Sequence, residues 1–507
     1  MEERIRHAGL RKRVMEPSAA AELIKDGDIV AISGFTRSGD PKVVLQELVK
    51  QHDEGVRSVQ IDLWTGASVS EFVDGALAQR GMMRRRLPFQ SEPHLRGEIN
   101  KGNIMYIDQH LSHTAEWIRQ GVMPAPDVAI IEAVAIREDG AIVPSTSVGN
   151  SPVFATAAKK IIVEINTATP ADLEGIHDIY QPDPRPGRGP IPIYRASDRI
   201  GDTAIKVDPE KIVAIVHSNI PDDTRQLTPA DEEQKRIAGF LLDFLENEVH
   251  HGRLPKNLLP LQAGVGVMAN AVFAGLADSQ FEDLEVYSEV LQDSMVDLLD
   301  MGKLKVASAA AMTLSPDRLR DVLNNLGRYK DKVILRPQEI SNHPEVIRRL
   351  GIIAINAALE CDIYGNVNST HVMGTHMMNG IGGSGDFARN AYLSIFVCKS
   401  TAKKDTISTI LPMVSHVDHT EHDVQVIVTE QGLADLRGLA PRERARVIIQ
   451  NCAHPKYRDL LMDYVRDAER MGGHTPHVLA EAFAWQRRYQ ETGTMLPQAE
   501  SPLVGAD

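Results

Sequence analysis

The feature that most constrains the fold of this chain is an alternation. Short runs rich in β-branched residues recur along its length: Ile29–Ile32, Val59–Leu63, Val128–Ile131, Ile161–Ile165, Ile212–Val216, Val333–Leu335, Leu393–Val397 and Val424–Val428. Helical patterns lie between many of them, such as Val43–Gln51. Another, Ala19–Lys25, precedes the first run, with Ser18 at its expected N-cap. Strands alternating with helices predict an α/β protein with largely parallel sheets. At 507 residues, 43% of them hydrophobic, the chain can build two or more large cores. The Pro/Gly/Asp-rich stretch Gln181–Pro192 predicts a long loop. The polar stretch Pro221–Glu233 is the best boundary, dividing the chain into 1–225 and 226–507, with more helix from about Pro441 onward. No strong internal repeat is visible, although two α/β halves can share a fold without one.

Charge and cysteine content exclude several classes. Lys and Arg total 55 against 69 Asp and Glu, a formal net charge of −14. Such a chain repels nucleic acid and anionic membranes, while a local basic pocket can still hold a small anion. Cys361, Cys398 and Cys452 are widely spaced, which argues against a disulfide framework or a cysteine zinc site and fits a reducing compartment. No apolar run approaches the roughly 18–20 residues of a membrane span. A soluble cytoplasmic protein is expected; a mitochondrial location stays open if a transit peptide has been removed.

Three stretches carry candidate chemistry. In the first, Leu284–Ser288 predicts a strand that stops at Glu289. An amphipathic helix is expected straight after it, with Val290, Leu291, Ser294, Met295, Leu298 and Leu299 on one face and Gly302 as its cap. Glu289 then stands at the carboxyl end of a strand, where open α/β sheets bind ligands. It is either a helix-start charge or a reacting group. In the second, Gly264-Val265-Gly266 opens a match to the dinucleotide GxGxxG/A fingerprint. Pro260 in the preceding segment and the mid-chain position weigh against a dinucleotide, leaving a structural turn or another ligand role. In the third, Asn379 to Asp386 places four glycines between 380 and 385. Glycine lets the backbone approach a ligand, and successive N–H groups can converge on an oxygen anion. The loop is no Walker A motif. A similar loop, Gly34 to Pro41, follows the first strand. His416, His419 and His422 sit at i, i+3 and i+6, a spacing that matches no standard zinc site, so a metal is not expected.

Together these and further blocks resemble the acetyl-CoA hydrolase/transferase family, which includes class I carboxylate CoA-transferases. The likeness runs from about Arg4 to Leu496. Its blocks are Gly34-Phe35-Thr36, Thr65-Gly66-Ala67-Ser68, Ser147-Val148-Gly149-Asn150, Gly264-Val265-Gly266, Tyr287-Ser288-Glu289, Ile340-Ser341-Asn342, Ile363-Tyr364-Gly365-Asn366, Asn379 to Phe387, and Thr429 to Arg437. The resemblance implies two tandem CoA-transferase domains, like those of ribose-5-phosphate isomerase, with the active site between them. It implies that Glu289 is the nucleophile, and that Val265 and Gly383 supply oxyanion-hole N–H groups. It also implies that Asn342 and Glu430 position the nucleophile, and that Lys403, Gly264, Gly266, Gly382 and Ser68 belong to the CoA and substrate contacts. Val267 departs from the family pattern, which has an Asn there. A homodimer is expected, with acyl-CoA and short carboxylates as small-molecule partners and no cofactor, since CoA and acyl-CoA are substrates.

The implied chemistry is coherent. A carboxylate nucleophile exchanges CoA between acids without losing the thioester energy to water. It needs no metal and no general base if it is ionised at neutral pH. A CoA-transferase acting on succinyl-CoA and acetate is favoured, with propionate as the next acid. A hydrolase, in which water captures the intermediate, shares every motif. A non-catalytic ligand sensor would have no use for Glu289 and two glycine loops.

Overall fold

The computed structural model describes residues 1–226, 228–264 and 266–497. Two eight-stranded sheets dominate it. The first runs, edge to edge, through Ile212–Ser218, Lys160–Asn166, Val128–Ile136, Ile29–Ile32, Ile61–Trp64, Met83–Leu87 and Met105–Tyr106, with Ile142–Pro144 added antiparallel on Val128–Ile136. The second runs through Val333–Leu335, Leu304–Ala309, Leu284–Tyr287, Leu261–Ala263, Ile353–Ala357, Leu393–Val397, Val426–Thr429 and Gly432–Asp435. All other neighbours are parallel except the last pair of the second sheet. The expected α/β class with largely parallel sheets is therefore correct.

The two sheets share one topology. In each, the first strand is central, the next three step outward on one side, and the following three step outward on the other. The reversal falls beside Ile29–Ile32 in the first half and beside Leu261–Ala263 in the second. Such reversal points open a crevice at the carboxyl ends of the strands. The strands read as nearly unbroken apolar runs because both faces are covered, as parallel sheets require. Val128–Ile136 is buried along its whole length and runs five residues past its expected end, through Glu132. That carboxylate is tolerated because Lys42 Nζ lies 3.0 Å away and Ser145 Oγ and Asn166 Nδ2 donate to it at 2.6 and 3.0 Å.

Three local expectations are corrected. Pro260 does not prevent a central strand at Leu261–Ala263, because it precedes the pairing and its carbonyl still accepts from Ile353 N–H. The first helix is Pro17–Ala21 with Glu16, not Ser18, at its N-cap, since Pro17 suits the first helical position. The helix expected directly after Glu289 starts later, for reasons given below. Among the described residues no helix is long and apolar enough to cross a membrane.

Helix Glu232–His250, capped by the reciprocal Asp231–Gln234 box, packs with Val267–Asp278 in the second half. The helices Pro441–Cys452 and Pro455–Met471 close a smaller core with Cys361, Ile410 and Tyr457. An arm of the first half crosses over: Ile191, Ile193 and Ala196 pack with Tyr287, Ile340 and Ile347. Buried Arg336 pins that arm. It pairs with Asp178 and donates to Ser308 Oγ at 2.7 Å and the Ala196 carbonyl at 3.2 Å.

Candidate active site

Glu289 lies between two strands, not at a helix start. Leu284–Tyr287 belongs to the second sheet, and Val290–Leu291 pairs in parallel with Ala311–Met312. The backbone stays extended because the Glu289 carbonyl accepts from Ala310 N–H (2.7 Å) and Ala311 N–H (3.2 Å), while Ser288 N–H donates to Ser308 O (2.9 Å). Only at Asp293, after Gln292, does the helix to Met301 begin, and Gly302 ends it in the left-handed region at φ 78°. Val290 and Leu291 are therefore strand residues. Val290 packs, with Ala310 and Ala311, against Phe35, Ala67 and Leu111 of the first half. Glu289 is thus held at the junction of the two halves.

Around its carboxyl the structure gathers Gly383, Asn342 and Asp386. A Cβ built on Gly383 would lie 2.1 Å from Glu289 Oε1 and 2.3 Å from Asn342 Oδ1. Gly383 has φ −88°, so closeness rather than backbone strain demands glycine there. Gly382, at φ +59°, does occupy the left-handed region. Asn342 ends the short helix Gln338–Ser341; its Nδ2 donates to Gln338 O at 3.1 Å, and its buried Oδ1 has no partner among the described residues. Burial is the main force on Glu289, and the Asp386 charge adds to it. Against the opposing influence of the neighbouring Asn342 amide, they push the Glu289 pKa up to about 8. Asp386 is itself raised to about 7 by burial, offset by Ser112, whose N–H and Oγ donate to it at 3.0 and 2.6 Å. A nucleophile already ionised at neutral pH, as expected from its type, is not what this environment produces in the free protein.

The Gly264 loop leaves the end of Leu261–Ala263 beside the same carboxylate strand. Gln292 joins the two. Its Nε2 donates to Gly264 O at 3.1 Å and its Oε1 accepts from Gly266 N–H at 3.2 Å, with Gly266 at φ +126°. Ser288 Oγ adds a bond to Ala263 O at 3.2 Å. Val265 lies outside the described residues. Gln292, Asp386 and Ser112 are the members of this cluster to which sequence reasoning assigned no part. Asp386 stood inside a quoted motif; Gln292 and Ser112 carried no local signal.

The remaining candidates lie elsewhere. The Glu430 carboxylate is bonded to Ser400 N–H (2.8 Å), Ser400 Oγ and Gln431 Nε2 (2.8 Å). Burial would raise it, but these donors win and hold it below the usual carboxylate range. None of those bonds goes to Glu289. Lys403 stands in the exposed turn between Thr401–Ala402 and Ile407–Ser408, at φ +51°. Ser68 is buried in a two-residue strand paired with Phe35–Thr36, and its carbonyl accepts from Arg86 at 2.9 Å. The histidines of 416–422 are dispersed. His416 pairs with Asp418 at 3.2 Å, buried His419 meets Ser384 Oγ at 3.1 Å, and His422 is exposed. Among the described residues no group of three or more His, Cys, Asp or Glu is placed to hold a metal ion.

Comparison with known proteins agrees with this architecture. Residues 1–217 match the acetyl-CoA hydrolase/transferase N-terminal domain, and residues 318–465 match the C-terminal domain. A succinyl-CoA:acetate CoA-transferase of Clostridium kluyveri is 53% identical over 495 residues, covering 97% of this chain and 92% of its own. A propanoyl-CoA:succinate CoA transferase of Escherichia coli is 46% identical, covering 95% and 98%. An acetyl-CoA hydrolase of Schizosaccharomyces pombe is 47% identical, covering 97% and 98%. The solved structure of a 4-hydroxybutyrate CoA-transferase from Porphyromonas gingivalis shares the fold at a TM-score of 0.62, with 22% identity over 90% of this chain and 98% of its own. With both domain models matched in order and full-length relatives near half identity, the chain belongs to the acetyl-CoA hydrolase/transferase family.

Proposed function

We propose that this protein is a CoA-transferase that moves CoA from an acyl-CoA, succinyl-CoA by preference, to a small carboxylate, acetate first and propionate next. The observation that carries the proposal is the Glu289 carboxyl, buried where the halves meet and approached by Gly383 so closely that no side chain fits between them. A glutamate Oε attacks the thioester carbon, and the tetrahedral intermediate expels CoA thiolate to leave an acyl-glutamyl anhydride. The thiolate then attacks Cδ of Glu289 and expels the first acid, leaving a glutamyl-CoA thioester. The acceptor carboxylate attacks that Cδ, displacing the thiolate and forming a second anhydride. The thiolate attacks its acyl carbon, and Glu289 leaves as carboxylate.

Each tetrahedral intermediate carries an oxyanion next to Gly383. A backbone donor aimed at such an oxygen contributes about 2.7–4 kcal/mol. The Gly383 N–H is assigned that role, with the Val265 N–H as the second donor of the proposal. Attack needs the ionised form of Glu289, so the raised pKa links activity to pH. Binding energy from the long CoA moiety is available to offset the desolvation of that charge. The proposal includes no metal and no cofactor, a small-molecule partner set and a homodimer. Dialysis against EDTA is expected to leave activity intact; a loss restored by zinc would overturn that part.

Names among the relatives favour a second outcome at the same site. Acetyl-CoA hydrolase is the name of the Schizosaccharomyces pombe relative, and water attacking Cδ of the glutamyl thioester would release CoA and restore Glu289. The deciding experiment follows succinyl-CoA consumption with and without acetate, propionate or succinate by mass spectrometry. Acceptor-dependent turnover with the acceptor's CoA ester as product supports transfer. Acceptor-independent release of free CoA supports hydrolysis.

A further inference from the structure

The loop that carries Gly383 belongs to the second half, yet groups of the first half hold it. Asn100 exchanges two bonds with Met377, its Nδ2 to the carbonyl and its Oδ1 from the N–H, both 2.9 Å. Gly380 N–H donates to Gln90 O at 3.0 Å. Ile381 N–H is shared by both oxygens of Asp108, each at 3.0 Å. Past Gly383, Ser112 grips Asp386 through its N–H and hydroxyl. Asp108 is set in place by Tyr106, whose hydroxyl reaches Asp108 Oδ1 at 3.1 Å and Pro88 O at 3.0 Å. The fit is tight. A Cβ on Gly380 would lie 2.2 Å from Tyr106 Oη and 2.7 Å from Asp108 Oδ1, and one on Gly385 would lie 2.3 Å from the His110 ring.

We propose that Asp108 is a positioning residue that, together with the Ser112–Asp386 link, fixes Gly383 over Glu289 from the opposite half of the molecule. The loop has bonds on both sides of Gly383, two residues before it and three after, so its height above the carboxyl is set by the docking of the halves. Asp108 touches neither Glu289 nor, on this geometry, the reacting atoms. It acts through the Ile381 N–H. The catalytic consequence rests on the assignment of Glu289 as nucleophile; the structural clamp does not.

The test uses the full chain and the variants Asp108→Ala and Asp108→Asn. Asn keeps an acceptor oxygen for Ile381 N–H, whereas Ala removes it. Two readouts are taken: amide hydrogen exchange of the peptide covering 378–388, and the rate at which succinyl-CoA without acceptor labels Glu289. A misplacement near 1 Å costs about 10²-fold. Asp108→Ala is therefore expected to slow labelling by roughly 10- to 100-fold, with half-saturating succinyl-CoA within about twofold, and to speed exchange in the loop. Asp108→Asn is expected to recover most of both. Unchanged exchange in Asp108→Ala overturns the clamp. Faster exchange with wild-type labelling, or Asn failing as badly as Ala, overturns the positioning role. Absence of any Glu289 label in the wild type instead overturns the functional reading, and the exchange data still judge the clamp.

Discussion

Gly383 and Glu289 are in such close approach that a single methyl on the glycine would come within 2.1 Å of the carboxyl oxygen. Real Cβ atoms do not tolerate that distance, so either the loop or the carboxylate must move. Gly383→Val is expected to lower kcat by two orders of magnitude or more while CoA still binds, measured by steady-state kinetics and equilibrium binding. Near-normal kcat would remove Gly383 from the oxyanion site.

Glu289→Gln preserves size and removes the proposed nucleophile, because an amide forms no anhydride. The variant should fold, bind CoA and lose transfer by several orders of magnitude. Glu289→Asp withdraws the carboxyl by about 1 Å and should cost about 10²-fold or more. A helix-start charge would contribute only about 0.3–1 kcal/mol of stability and leave turnover intact. Mass spectrometry of the protein incubated with acyl-CoA alone, then borohydride, is expected to locate the modification on the Glu289 peptide.

Burial and Asp386 push Glu289 up to about 8. For the free enzyme, kcat/KM for acyl-CoA should therefore rise with pH and level off above about 8. Asp386→Asn removes the neighbouring negative charge, so the inflection should move to lower pH. The same shift has a stability consequence. An unfolded glutamate ionises near 4.3, and the folded one only near 8, so this site's contribution to stability is full at low pH and is lost as pH rises through that window. Relative to wild type, Glu289→Gln should gain Tm as pH goes from 5 to 8, by an amount corresponding to at most several kcal/mol. A constant difference across that range would show that Glu289 is not raised.

Arg336 and Asp178 form a buried pair linking the crossing arm to the second half. Removing one partner leaves an unpaired buried charge. Asp178→Ala is expected to destabilise the protein by about 3–5 kcal/mol in denaturant unfolding. Replacement of both by apolar residues should cost much less, since the desolvation penalty disappears with the charges. An equal loss in the double variant would show that packing, not charge, dominates there.

Strand positions were legible because a parallel strand buried on both faces must be apolar throughout. Val333–Leu335 and Leu393–Val397 fall at their expected bounds for that reason. The fold class followed from the alternation, and the quoted blocks singled out Glu289, Asn342 and the loop around Gly383. What the sequence could not show is anything that depends on partners distant along the chain. Val290 and Leu291 fit a helix face equally well, and only pairing with Ala311 and Met312 makes them a strand. Glu132 interrupts an apolar run until Lys42 is folded against it. The shared topology of the two halves is invisible in residue identities, because strand order depends on crossover paths rather than on a repeated pattern. The charge state of Glu289 is likewise a property of the folded site: a glutamate's ordinary pKa is intrinsic, and its displacement is decided by desolvation and by Asp386, some hundred residues away in sequence, brought against it by the tertiary structure.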